Sequence, residues 1–359
     1  MPKAEDRGER AILPSLFGKD KTENWEKRRK ELGEILAGEE YGKIPPPLPF
    51  RAEILKTQEE FAGKGFMEWL SLHFEREEAA FSFPARLIYP KGGRKFPFFI
   101  FANFSDAVPD RYFPAEEIID HGFGVLSFCY QDVSADLDSF GQGAEKLFLS
   151  GDRAPSDFGK ISLWAWAMSR LLDYLLQRGL ADENRIAAIG HSRLGKTALW
   201  AGANDERFSF VFSNNSGCSG AALSRNKSGE TVKIITDAFP HWFCKNYRKY
   251  ADHEASMPFD QHFLLAMIAP RTVAIGAAKE DTWADSRSQY LSCRAAESAY
   301  RLFRPGTSFE DDSPRTGKEY GTSGIFFRER AGTHYLSRAD WLYYLRIMQE
   351  SAPAKSENF

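Results

Sequence analysis

Gly190-His191-Ser192-Arg193-Leu194-Gly195-Lys196 follows the largely apolar run 185–189 and precedes Thr197-Ala198-Leu199-Trp200. That order spells a short strand, a sharp turn with serine at its apex, and a helix leaving the turn. It is the construction of a nucleophile elbow, which holds a serine hydroxyl exposed at the carboxyl end of a sheet. Glycine before the serine lets neighbouring backbone pass close to a crowded turn. The usual spacing is Gly-x-Ser-x-Gly, but here Leu194 takes the second glycine's place and Gly195 comes one residue late. A serine in such a turn also serves elsewhere as a phosphate-binding or helix-capping residue. The reading therefore depends on whether an acid and a base follow in the right order.

Outward from the elbow, the chain alternates strands and helices. Residues 96–101 and 122–130 are continuous apolar runs of the length of buried parallel strands. Ile161, Trp164, Ala165, Met168, Leu171, Leu172 and Leu175 recur at helical spacing, and Gly179 closes that helix. Further strands are expected over 185–189, 208–212, 272–277 and 325–327, with a helix over 288–303 and a final helix capped at Ser337 with Asp340 three residues on. Ahead of these, residues 24–36 have helical spacing, four prolines fall within 45–49, and 66–89 alternates like paired strands. Strands alternating with helices imply a mostly parallel sheet covered on both faces, a three-layer α/β sandwich. Its ligands sit beyond the carboxyl ends of the strands, where Ser192 would be. One domain over residues 1–359 is expected, with poorly ordered ends at 1–20 and 351–359.

Bulk properties narrow the function. The chain has 359 residues, enough for one large α/β domain, and its 43% hydrophobic and 27% charged content is that of a soluble globular protein. Thirty phenylalanines forecast an aromatic core. A net charge of −3 gives no electrostatic reason to bind nucleic acid. No apolar run is long enough to span a membrane, and the N-terminus has no signal-peptide stretch. Read literally the chain is cytoplasmic, or secreted or periplasmic if a leader was removed. Cys129, Cys218, Cys244 and Cys293 show no Cys-x-x-Cys pair and read as buried free thiols.

A serine needs a base to take its proton, and the base needs a third group to fix its tautomer. On an α/β-hydrolase scaffold the order is serine, acid, histidine. Of seven histidines, His334 stands between the last predicted strand and the last helix, where the base of such a fold belongs. The acid is expected after the strand 272–277, where Asp281 and Asp285 are both candidates and Glu280 a third; acids after strands are also helix caps. His241, His253 and His262 match no metal template, and their aromatic surroundings suit a pocket wall. No metal or organic cofactor is called for.

The elbow resembles the Gly-Cys-Ser-Arg-x-Gly-Lys signature of the glucuronoyl esterases, carbohydrate esterase family 15, with His191 in place of the cysteine. Trp164-Ala165-Trp166, the run 201–208, Asn215-Ser216-Gly217, Phe239-Pro240-His241-Trp242-Phe243, the run 264–270 and Trp283-Ala284-Asp285 carry the likeness over roughly residues 95–345, most closely to the bacterial branch. The resemblance implies an α/β-hydrolase acting on esters of 4-O-methyl-glucuronic acid, as in lignin–glucuronoxylan linkages; a monomer is expected. The alternative is an acetyl-xylan or other carbohydrate esterase on the same fold. It implies Ser192 as nucleophile, His334 as base and Arg193 at the oxyanion. It also implies Lys196, Glu230 and Trp283 as contacts to the sugar. Some members carry the acid as glutamate before the Ser-Gly pair. Here that place is Asn215, so the acid falls to the loop after Ala277, with Asp281 ahead of Asp285.

Overall fold

Phe96–Asn103, the first of the continuous apolar runs, lies at the centre of a ten-stranded sheet and is buried on both faces. The computed structural model describes residues 12–18, 24–93, 95–225, 228–306, 308–321 and 324–351. The strands are β1 (Phe50–Glu60), β2 (Gly65–Arg76), β3 (Ala79–Pro90), β4 (Phe96–Asn103), β5 (Gly124–Cys129), β6 (Ala181–His191), β7 (Phe210–Asn214), β8 (Thr272–Ala278), β9 (Glu319–Tyr320) and β10 (Ile325–Arg330). They lie in the order β1-β2-β3-β5-β4-β6-β7-β8-β10-β9. The stretch from β5 to β10 is parallel throughout, and β1, β2, β3 and β9 join antiparallel at the two ends.

Because side chains alternate across a strand, β4 divides the core in two. Phe98, Ile100 and Ala102 join one apolar cluster with Leu172 of the helix Lys160–Arg178 and Leu199 of the helix Arg193–Asn204. Phe99 and Phe101 join the other, under Trp341 and Tyr344 of the helix Arg338–Glu350. Phe99 and Phe101 both meet the Trp341 ring edge-on at 5.3 Å, so aromatic rings join sheet to helix on this face. These are the three layers expected. The helix Lys160–Arg178 is buried almost all round and ends on Gly179 in the left-handed region, φ 66°. Ser337 and Asp340 form the reciprocal cap of the last helix.

Some boundaries differ from expectation. The strand placed at 208–212 pairs over 210–214, and the run at 122–130 yields its last residue, Tyr130, to a short helix. β1 was not foreseen. It is an edge strand rich in Glu, Lys and Gln, exposed on both faces, so no apolar alternation marks it. Within the expected loose N-terminus, Leu16 is buried and its carbonyl accepts from Arg28 Nε at 2.7 Å, while Ile12 and Ser15 stay exposed. Residues 1–11, 19–20 and 352–359 of the expected loose ends lie outside the described residues. Cys218, Cys244 and Cys293 are buried thiols outside any disulfide, and Cys129 is partly buried. Among the described residues no helix is long and apolar enough to cross a membrane.

Candidate active site

β6 ends at His191, the chain turns at Ser192, and the helix begins at Arg193. Ser192 sits at φ 57°, ψ −126°, a conformation that costs a non-glycine residue about 1–3 kcal/mol. Neighbouring structure holds it there. Its N–H donates to Asn214 O at 2.9 Å, extending the β6–β7 ladder, and its carbonyl accepts from the N–H groups of Gly195 and Lys196 at 2.9 and 3.2 Å. A Cβ at Gly190 would collide with the Leu194 carbonyl, while one at Gly195 would lie 2.9 Å from Ser213 Oγ and 3.1 Å from Ser216 Cβ. Gly195 thus supplies the close helix–sheet approach expected of the pattern's second glycine, and Leu194 is free to bury its side chain in the core. Gly190→Ala should lower unfolding free energy by about 3 kcal/mol, read as a shift in denaturant midpoint. Gly195→Ala should cost less, because the atom it first meets is a hydroxyl that can rotate.

His334 lies in the loop between β10 and the last helix, and its Nδ1 is 2.6 Å from Asp281 Oδ2. That contact places the proton on Nδ1 and leaves Nε2 as acceptor. Asp281 is almost fully buried, and its other oxygen accepts from the Ala284 N–H at 3.2 Å. The two loops are laced together: Glu280 N–H donates to Gly332 O at 3.0 Å, and Gly332 N–H to Glu280 Oε1 at 3.2 Å. Glu280, the third candidate acid, is therefore a brace. Asp285 takes no part beside His334. It caps the helix Ser286–Tyr300, accepting from Ser288 N–H at 3.0 Å, Ser288 Oγ at 2.9 Å, and Ser228 N–H and Oγ at 2.8 and 3.1 Å.

His191, the departure from the resemblance, packs its ring 4.5 Å from that of His334 and pairs Nδ1 with Asn214 Oδ1 at 2.7 Å. Burial, reinforced by the adjacent His334, pushes its pKa down to about 3. It remains neutral and adds no like charge against an imidazolium at His334.

Ser192, Lys196, Glu230, Trp283 and His334 line one cavity of about 420 Å³, which Arg193 and Trp242 also wall. Lys196 is buried with its Nζ donating to Ser216 O at 2.6 Å and 3.9 Å from Glu230 Oε2. Glu230 is tied to the cavity's rim, its N–H donating to Trp283 O at 3.1 Å, while the Trp283 side chain stands half exposed. Asn215 is buried nearby and donates Nδ2 to Tyr335 O at 3.2 Å.

One acid of this neighbourhood escaped the sequence reading. Asp136, in the loop after β5, pairs with the Arg193 guanidinium. It also accepts from His241 Nε2 at 2.9 Å, Trp242 Nε1 at 2.6 Å and Tyr130 OH at 3.0 Å. Burial opposes its charge, but the hydrogen bonds from His241 and Trp242 and the Arg193 charge outweigh that and hold its carboxyl well below the usual carboxylate range. The signal was available in principle, since Asp136 is an acid beyond a strand's carboxyl end, as Asp281 is. His262 lies elsewhere, on Pro14 O at 3.0 Å, so the histidines weighed for a metal are dispersed.

A serine on a strained strand–helix turn, with an imidazole steered by a buried carboxylate at the carboxyl ends of a parallel sheet, defines an α/β-hydrolase. A family model described as "Glucuronyl esterase, fungi" matches residues 72–303. The chain belongs to that family, the glucuronoyl esterases of carbohydrate esterase family 15. It is 39% identical over 235 residues to a carbohydrate esterase of an unknown prokaryotic organism, a match covering 65% of this chain. This chain spans only 54% of that relative's length. It is 28% identical over 291 residues to 4-O-methyl-glucuronoyl methylesterase 1 of Wolfiporia cocos, covering 77% of this chain and 67% of the relative. Among solved structures, the glucuronoyl esterase from Solibacter usitatus superposes with a TM-score of 0.86 at 30% identity, covering 94% of this chain and 97% of that one.

Proposed function

We propose that this chain is a serine esterase that hydrolyses esters of (4-O-methyl-)glucuronic acid through an acyl-enzyme. The observation that carries the reading is the sharing of one cavity by Ser192, the Asp281-oriented His334, and the buried Lys196 and Glu230. Ser192 Oγ attacks the uronoyl carbonyl while His334 Nε2 takes its proton, and Asp281 stabilises the imidazolium. The oxyanion forms beside the start of the helix Arg193–Asn204, whose first N–H groups have no intrahelical partner. His334 then protonates the departing alcohol, and water activated by the same nitrogen releases the acid.

The sugar assignment follows from the donors and acceptors available. Lys196 offers N–H donors and Glu230 acceptors for ring hydroxyls, and the Trp283 indole offers an apolar face at the rim. A bare acetyl group would use none of these. The test compares benzyl glucuronate with nitrophenyl acetate in wild type and Lys196→Ala. The variant should lose at least about tenfold in kcat/KM on the glucuronate, and much less on the acetate. Equal losses on both, or a wild type that prefers the acetate, would move the reading to another carbohydrate esterase.

A further inference from the structure

Resting on the esterase reading above, we infer that Asp136 is a positioning residue for that reaction: it fixes the Arg193 guanidinium against the wall of the Ser192 cavity before charge develops there. Arginine has a long, rotamer-rich side chain, and one that must meet a transient oxyanion loses effectiveness if it samples solvent. Here two contacts remove that freedom. Asp136 takes Arg193 Nη1, and its remaining acceptor sites are occupied by Tyr130, His241 and Trp242. The guanidinium lies 4.6 Å from the Trp242 ring centroid and 5.3 Å from that of Phe239, which themselves stack 4.0 Å apart. Arg193 Nε, meanwhile, is buried with no hydrogen-bond partner among the described residues, a donor held in place and left unsatisfied.

The loop that presents Asp136 is itself pinned from below. Ser134 O accepts from Trp164 Nε1 at 3.0 Å, and Ser134 Oγ accepts from Lys160 Nζ at 2.6 Å. Lys160 also pairs with Glu145 at 3.0 Å, and both side chains are fully buried. Two sequence segments that the triad leaves unexplained thereby gain a use. Trp164 anchors the loop carrying Asp136, and His241 with Trp242 orients its carboxylate. A carboxylate with this many fixed donors does not swing to find the arginine; the arginine comes to it.

The test uses the full chain with benzyl glucuronate. Arg193→Ala and Asp136→Asn should each lower kcat about a hundredfold with KM changed by less than about threefold. The double variant should be no worse than Arg193→Ala beyond about twofold, because both remove one device. Added guanidinium should restore part of the kcat of Arg193→Ala but not that of the double variant. Asp136→Asn with at least a third of wild-type kcat, or losses that multiply in the double variant, would overturn the inference. Should Asp136→Asn fail to fold, Tyr130→Phe decides: removing one donor should cost about tenfold in kcat at unchanged KM, and an unaltered kcat would overturn the inference equally. Arg193→Ala with full kcat would also overturn the inference while leaving the backbone N–H oxyanion site intact, whereas an inactive wild type would sink the esterase reading itself, so the two failures are distinguishable.

Discussion

Asp281→Asn should lower kcat on benzyl glucuronate about 10⁴-fold, while Asp285→Asn, assayed beside it, stays within about threefold of wild type. The asymmetry follows from geometry. Asp281 Oδ2 is the partner of His334 Nδ1 at 2.6 Å, and an amide in its place both lacks the charge that stabilises imidazolium and can donate to Nδ1, selecting the wrong tautomer. Asp285 instead accepts from Ser228 and Ser288 at the start of the helix Ser286–Tyr300. Its loss should show as about 1–2 kcal/mol in chemical denaturation. Equal kinetic damage from both, or none from Asp281→Asn, would show that the carboxylate steering His334 has been misassigned.

A larger loss, about 10⁶-fold in kcat, is expected for Ser192→Ala. Removing the hydroxyl removes the acyl-enzyme itself, and the imidazole then has no proton to take. The cavity's other walls do not depend on that hydroxyl, so glucuronate should still compete for the variant with near wild-type affinity. Ser192 of the wild type should react with a fluorophosphonate, and mass mapping should find the label on that residue and on no other serine. Labelling elsewhere, or appreciable turnover by the variant, would point to another nucleophile.

How much of this was legible in the sequence differs from residue to residue. Ser192 was readable because strand, turn and helix all leave local signals within a dozen residues, and the late glycine is explained by one sheet contact. His334 was readable from order along the chain. The choice between Asp281 and Asp285 was not fully readable, because both follow β8. What separates them is a left-handed backbone at Asp285, φ 54°, at the start of the helix that its carboxylate caps. Asp136 left one local cue, its place beyond the carboxyl end of β5, and nothing that tied it to its partners. It lies 57 positions before Arg193 and 105 before His241, and only the folded chain brings the three together. β1 was hidden for a different reason: an edge strand with two wet faces has no apolar rhythm to read.

Asn215 also bears on how firmly the base is held. Its side chain, at the end of β7, reaches the main chain of the residue next to His334, while Asp281 reaches the imidazole from the end of β8. Two adjoining strand ends thus converge on the loop that carries His334, one holding its main chain and the other its ring. The backbone that presents the imidazole and the carboxylate that sets its tautomer are therefore anchored on different strands, so the base is held at two independent points.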